Sequence, residues 1–128
     1  MTLKPLPLLL IYRCAFILAL AFTTYMALVN LSTLPVQIHI WDKLQHIAAF
    51  VVLSFLLDHS FPRYRSRRTL HPAQTLFLLG YGIAIEWAQS YIPYRDCSVY
   101  DVLADATGLF MYWIFYFQFH TGKPANQP

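Results

Sequence analysis

Four long apolar stretches alternate with short polar ones along this chain, covering about residues 6–28, 44–61, 73–92 and 101–119. Each is too long for a strand. At about 1.5 Å of rise per residue, some 20 apolar residues cross a hydrocarbon layer of roughly 30 Å as a helix. The pattern predicts an all-α polytopic membrane protein, a single four-transmembrane-helix bundle over residues 1–128 with a flexible tail from 121. Pro5 and Pro7 suit the first turn of the first span, where backbone N–H groups lack partners anyway. Arg13 can snorkel toward the headgroups. The run is too long for a cleaved signal peptide, and no Ala-x-Ala site follows it. Residues 30–41 read as a loop whose stretch from Val36 to Trp41 lies at the interface. Asp42 is expected to cap the second span, and Pro93 to stop the third.

Composition strengthens this picture. Hydrophobic residues make up 58% and charged residues 12% of the chain, about half the charge of an ordinary soluble domain. The net charge of +3 does not point to nucleic acid, because the basic residues cluster in one loop, at Arg63, Arg65, Arg67 and Arg68, and no nucleic-acid motif is present. Those arginines set topology and touch anionic lipid. Together with Lys4, Arg13 and Lys123 they fall on one side of the spans, against Lys43 and Arg95 on the other. The positive-inside rule then places both termini in the cytoplasm, and Trp41, Tyr91, Tyr94 and Tyr100 form an outer aromatic belt. Cys14 and Cys97 fall at opposite sides and do not pair, and no zinc-binding cysteine spacing occurs.

With this orientation, Asp42, Lys43, His46, Glu86, Gln89, Arg95, Asp96, Asp101 and Asp105 all lie in the outer leaflet or at its edge, and only Asp58 among the acids lies on the cytoplasmic side. A charge at the centre of a membrane helix costs about 2.5–3.5 kcal/mol on insertion scales, so each needs a partner or a task. His46 and Glu86 are candidate acid–base residues; Asp42, four residues before His46, suits an Asp–His pair that fixes the ring's tautomer. The structural alternative locks Glu86 to Lys43 or Arg95. A metal reading combines His46, Glu86, Asp101 and Asp105, donors suited to magnesium, manganese or zinc. Arg95 has the donor geometry to grip a phosphate, or it is an anchor or the counter-ion of Asp96 or Asp101; Lys43 has the same two readings. Asp101, Asp105, Gly108 and Tyr112 share one stripe of the fourth span. Gly80, Ala84 and Ala88 form a small-residue stripe on the third, which is expected to be buried on both sides as the central helix.

The pieces Asp42-Lys43-x-x-His46, Glu86-x-x-Gln89, Arg95, Asp101-x-x-x-Asp105 and Gly108, in this order, resemble the VanZ-like family of small bacterial membrane proteins. That pattern often has Asn where this chain has Asp105, and a small residue where it has Tyr112. The resemblance implies a multi-pass protein of the bacterial inner membrane; the family takes its name from a member linked to teicoplanin resistance. The expected function is binding of a cell-envelope lipid or lipid-linked precursor head group through Asp42, Lys43, Gln89, Arg95, Asp101 and Asp105. The alternatives are a membrane enzyme using Glu86 and His46 on a lipid-linked phosphate or glycan, and a structural subunit of a membrane complex.

Overall fold

The computed structural model describes residues 5–29, 39–61, 72–95 and 97–120. They form four α-helices: α1 (Leu6–Leu28), α2 (His39–Ser60), α3 (Pro72–Gln89) and α4 (Val99–His120). The basic loop, Asp96 and the tail after 120 lie outside the described residues, as does most of the expected interfacial stretch.

Local chemistry sets the helix ends. Pro5 precedes α1 and Pro7 lies in its first turn; a missing N–H is harmless there, and the ring presets φ for a helix. Pro72 opens α3 in the same way. At the other end of α3, the N–H groups of Tyr91 and Ile92 reach back three residues to Ala88 and Gln89. This tightens the turn just where Ile92, preceding Pro93, is steered away from helix. Ser98 caps α4: its Oγ accepts the N–H of Tyr100 at 3.2 Å. The second helix starts earlier than the apolar pattern suggests. Asp42 is therefore not the cap of α2 but an acid in its first turn, where the helix dipole favours a negative charge.

Among the described residues the helices make an up–down bundle. One end gathers the last turns of α1 and α3 with the first turns of α2 and α4. At the other end, Arg13 donates from Nε to the carbonyl of Ser60 at 3.3 Å, and Tyr112 donates its hydroxyl to Asp58 at 2.8 Å. The core is Phe16, Phe50, Leu53, Leu57, Leu78 and Leu109. α2 and α3 each pack against all three other helices, but α2 does so far more extensively, above all against α4. The central helix is thus α2, not α3. The reason lies in the glycines. A Cβ on Gly80 would meet nothing within 4 Å, and Ala84 is exposed, so the small-residue stripe of α3 faces outward. The close approaches are made elsewhere. A Cβ on Gly108 would stand 2.5 Å from the Ile47 carbonyl oxygen, and one on Gly82 2.5 Å from Asp105 Oδ2.

Polarity is distributed inside out. Ser54, Asp58, Ser60, Glu86, Gln89, Asp101 and Asp105 are buried, while Ile17, Leu18, Phe22, Leu76, Ile83, Phe110 and Phe119 are among many large apolar side chains left exposed. Among the described residues, only α1 is long and apolar enough by length and composition to cross a membrane by itself.

Candidate functional site

The end of the bundle where the last turns of α1 and α3 meet the first turns of α2 and α4 holds most of the predicted site residues. α2 and α4 both start there and run side by side, so Lys43 and His46 in the first turns of α2 face Asp101 and Asp105 in the first turns of α4. His46 donates from Nδ1 to Asp105 Oδ1 at 2.8 Å, and Lys43 Nζ stands 3.8 Å from Asp101 Oδ1. The partner of His46 is therefore Asp105 rather than Asp42. Its tautomer is fixed all the same, with Nε2 left available. Asp105 is 1% exposed; its second oxygen rests against Gly82, the position on α3 where no side chain would fit. An Asn at 105 would keep an oxygen for His46, and the carboxylate makes that bond charge-assisted. The departure at Tyr112 is answered as well, since its hydroxyl goes to Asp58.

Glu86, one turn before the end of α3, accepts the N–H of Ser98 on Oε2 at 3.1 Å. It thereby ties α3 to the cap of α4, with no ion pair to Lys43 or Arg95 among the described residues. Cys97 lies beside it. Desolvation and the adjacent Glu86 carboxylate push the Cys97 thiol up from its ordinary value.

Arg95 and Gln89 turn the other way, toward α1. The last carbonyls of a helix have no partner inside it. Arg95 donates from Nη2 to Met26 and Val29 at 2.7 and 2.9 Å, Gln89 donates to Ala27 at 2.9 Å, and Tyr94 to Leu28 at 3.2 Å. A cation at a helix C-terminus also suits the dipole. Arg95 is thus the cap of α1, and it makes no ion pair with Asp101.

Below this rim lies a cavity of about 490 Å³ between α1, α2 and α3, within the usual size range for small-molecule sites. Asp42, His46, Gln89, Arg95 and Asp105 form its polar end, and Phe22, Val52, Tyr81 and Ile85 contribute to its apolar walls. Glu86, Lys43 and Asp101 do not line it. Several buried atoms near the rim have no hydrogen-bond partner: Glu86 Oε1, Gln89 Oε1, Arg95 Nε and Asp101 Oδ1. The metal-ligand geometry also differs from the expected set. Asp42, His46 and Asp101 each bring one ligand atom within 4.8 Å of the other two; Glu86 and Asp105 are not in this group, being engaged by Ser98 and His46.

The spacing of charged residues gave no hint of three contributors. Ser98 is the cap that Glu86 holds. Thr23 and Thr24, adjacent hydroxyls in an otherwise apolar helix, both bond the Tyr81 hydroxyl at 2.8 Å, knotting α1 to α3 on the cavity wall. A pair of threonines in a membrane-type helix was the available signal.

The family described as VanZ/LLP1 matches residues 7–120, a stretch that takes in all four helices and every residue of the rim. The chain belongs to the VanZ/LLP1 family. Neither the curated proteins nor the solved structures yield a match.

Proposed function

We propose that this VanZ/LLP1 protein is a multi-pass protein of the bacterial inner membrane that binds the head group of a cell-envelope lipid, or of a lipid-linked precursor, at the outer end of its bundle. The observation that carries this reading is the cavity: one end polar and the walls apolar, open between helices whose outer surfaces are themselves apolar. A lipid has the same division. The inside-out polarity supports the membrane setting, since apolar side chains left exposed in this number would need a hydrocarbon solvent. The hydropathy of α2, α3 and α4 is lowered by inward-facing groups such as Asp58, Glu86 and Asp105, which the bundle covers. The basic residues outside the spans support an orientation with cytoplasmic termini and the rim facing outward.

Purified protein in detergent should retain a polyprenyl phosphate or phospholipid, read by native mass spectrometry. Ile85→Trp, which fills the cavity, and Gln89→Leu, which removes polarity from its rim, should each reduce retention at least tenfold. Equal retention by both folded variants overturns the reading. One observation favours a second reading. His46, oriented by a carboxylate through Nδ1 and lining the cavity, is placed as a general base would be. Turnover of a lipid-linked phosphate or glycan by the purified protein, lost in His46→Ala, would establish it.

A further inference from the structure

From the rim we infer that Asp42, His46 and Asp101 form a binding site for a divalent transition-metal ion, of the zinc or manganese class. Their three ligand atoms, from two carboxylates and one imidazole, already lie within 4.8 Å of one another. Metal–ligand bonds of about 2.1 Å place neighbouring ligands roughly 3.0–3.4 Å apart, so side-chain rotations of about 1.5 Å close the site. The donors sit on the first turns of two adjacent helices, α2 and α4.

A second observation points to a ligand. Asp101 is 5% exposed, yet its Oδ1 accepts no hydrogen bond. Its ion-pair partner among the described residues, Lys43, stands at 3.8 Å with a side chain 45% exposed, too loose to satisfy a buried carboxylate. Charge points the same way. Asp42, Glu86, Asp101 and Asp105 converge on this end, and Arg95 is committed to the carbonyls of α1. A divalent cation offsets that excess and gives an anionic head group something to bind. The ligand set is mixed: imidazole favours zinc, carboxylate favours manganese or magnesium. His46 supports the role through the bond from its Nδ1 to Asp105, the arrangement that orients metal-binding histidines elsewhere.

The inference is independent of lipid binding, and its test uses no lipid. Full-length protein in detergent is stripped with chelator and titrated with Zn²⁺ and with Mn²⁺ by calorimetry, with metal content of the unstripped protein measured by mass spectrometry. About one equivalent should bind. Asp101→Asn and Asp42→Asn should each weaken binding tenfold or more. Asp42 is only half-buried, so its variant keeps the test meaningful if Asp101→Asn misfolds. Lys43→Met should bind at least as tightly as the parent, because a competing cation is gone. Absence of binding by the folded parent protein overturns the site, and so does undiminished binding in Asp42→Asn. Either result leaves lipid retention, measured separately, standing or falling by its own test.

Discussion

At the level of single residues, the rim is a set of buried polar groups that each find a particular partner. His46 and Asp105 are the tightest pair. Removing one member strands the other, and an unsatisfied buried group costs about 1–3 kcal/mol. Asp105→Ala should therefore lower the thermal unfolding midpoint in detergent by several degrees, and Asp105→Asn, which retains an acceptor, by much less; equal losses would argue against the bond. Cys97 reports on Glu86. A raised thiol pKa means less thiolate at any given pH, so alkylation of Cys97 should rise with pH along a curve displaced upward from that of a free cysteine. Glu86→Gln removes the neighbouring carboxylate and should move the curve down, speeding the reaction at neutral pH. The charged members of this group were legible in the sequence because charges in apolar runs are conspicuous. Their pairing was not, because helical spacing relates residues on one helix, and His46 chose between Asp42 on its own helix and Asp105 across the gap. Nothing in the spacing announced that Arg95 would spend its donors on backbone carbonyls.

At the level of helices, two glycines do what the small-residue stripe was expected to do. Gly108 faces the Ile47 carbonyl, which cannot retreat without bending α2. Gly108→Ala should cost about 1–3 kcal/mol, the usual range for overpacking, whereas Gly80→Ala, with open space around it, should leave the unfolding midpoint unchanged. If both are neutral, α2 and α4 are not packed as described. The number and rough limits of the four helices were readable from apolar length alone. Which glycines mark contacts was not, because a small-residue stripe permits close approach without saying whether a neighbouring helix makes it. The Arg95 cap makes its own prediction. Arg95→Ala should raise hydrogen exchange or proteolytic sensitivity around residues 26–29 while leaving α2 and α4 protected.

For the whole molecule, the proposed topology can be read from the protein's own thiol chemistry. With Cys14 replaced by Ser, a membrane-impermeant maleimide applied to intact spheroplasts should label Cys97. A cysteine introduced at Phe61, at the opposite end of α2, should react only after lysis. The reverse pattern would invert the protein in its membrane and place the rim in the cytoplasm.

The two fastenings of α1 carry a mechanical implication. Arg13 holds one end to the carbonyl of Ser60, and Arg95 with Gln89 holds the other, yet only Phe16 of its side chains is buried. A rod clamped top and bottom can bow but not swing. A guest entering the cavity past α1 would flex that helix at its midsection, against the Thr23–Thr24–Tyr81 knot, so loosening that knot should quicken exchange by this route without detaching either clamp.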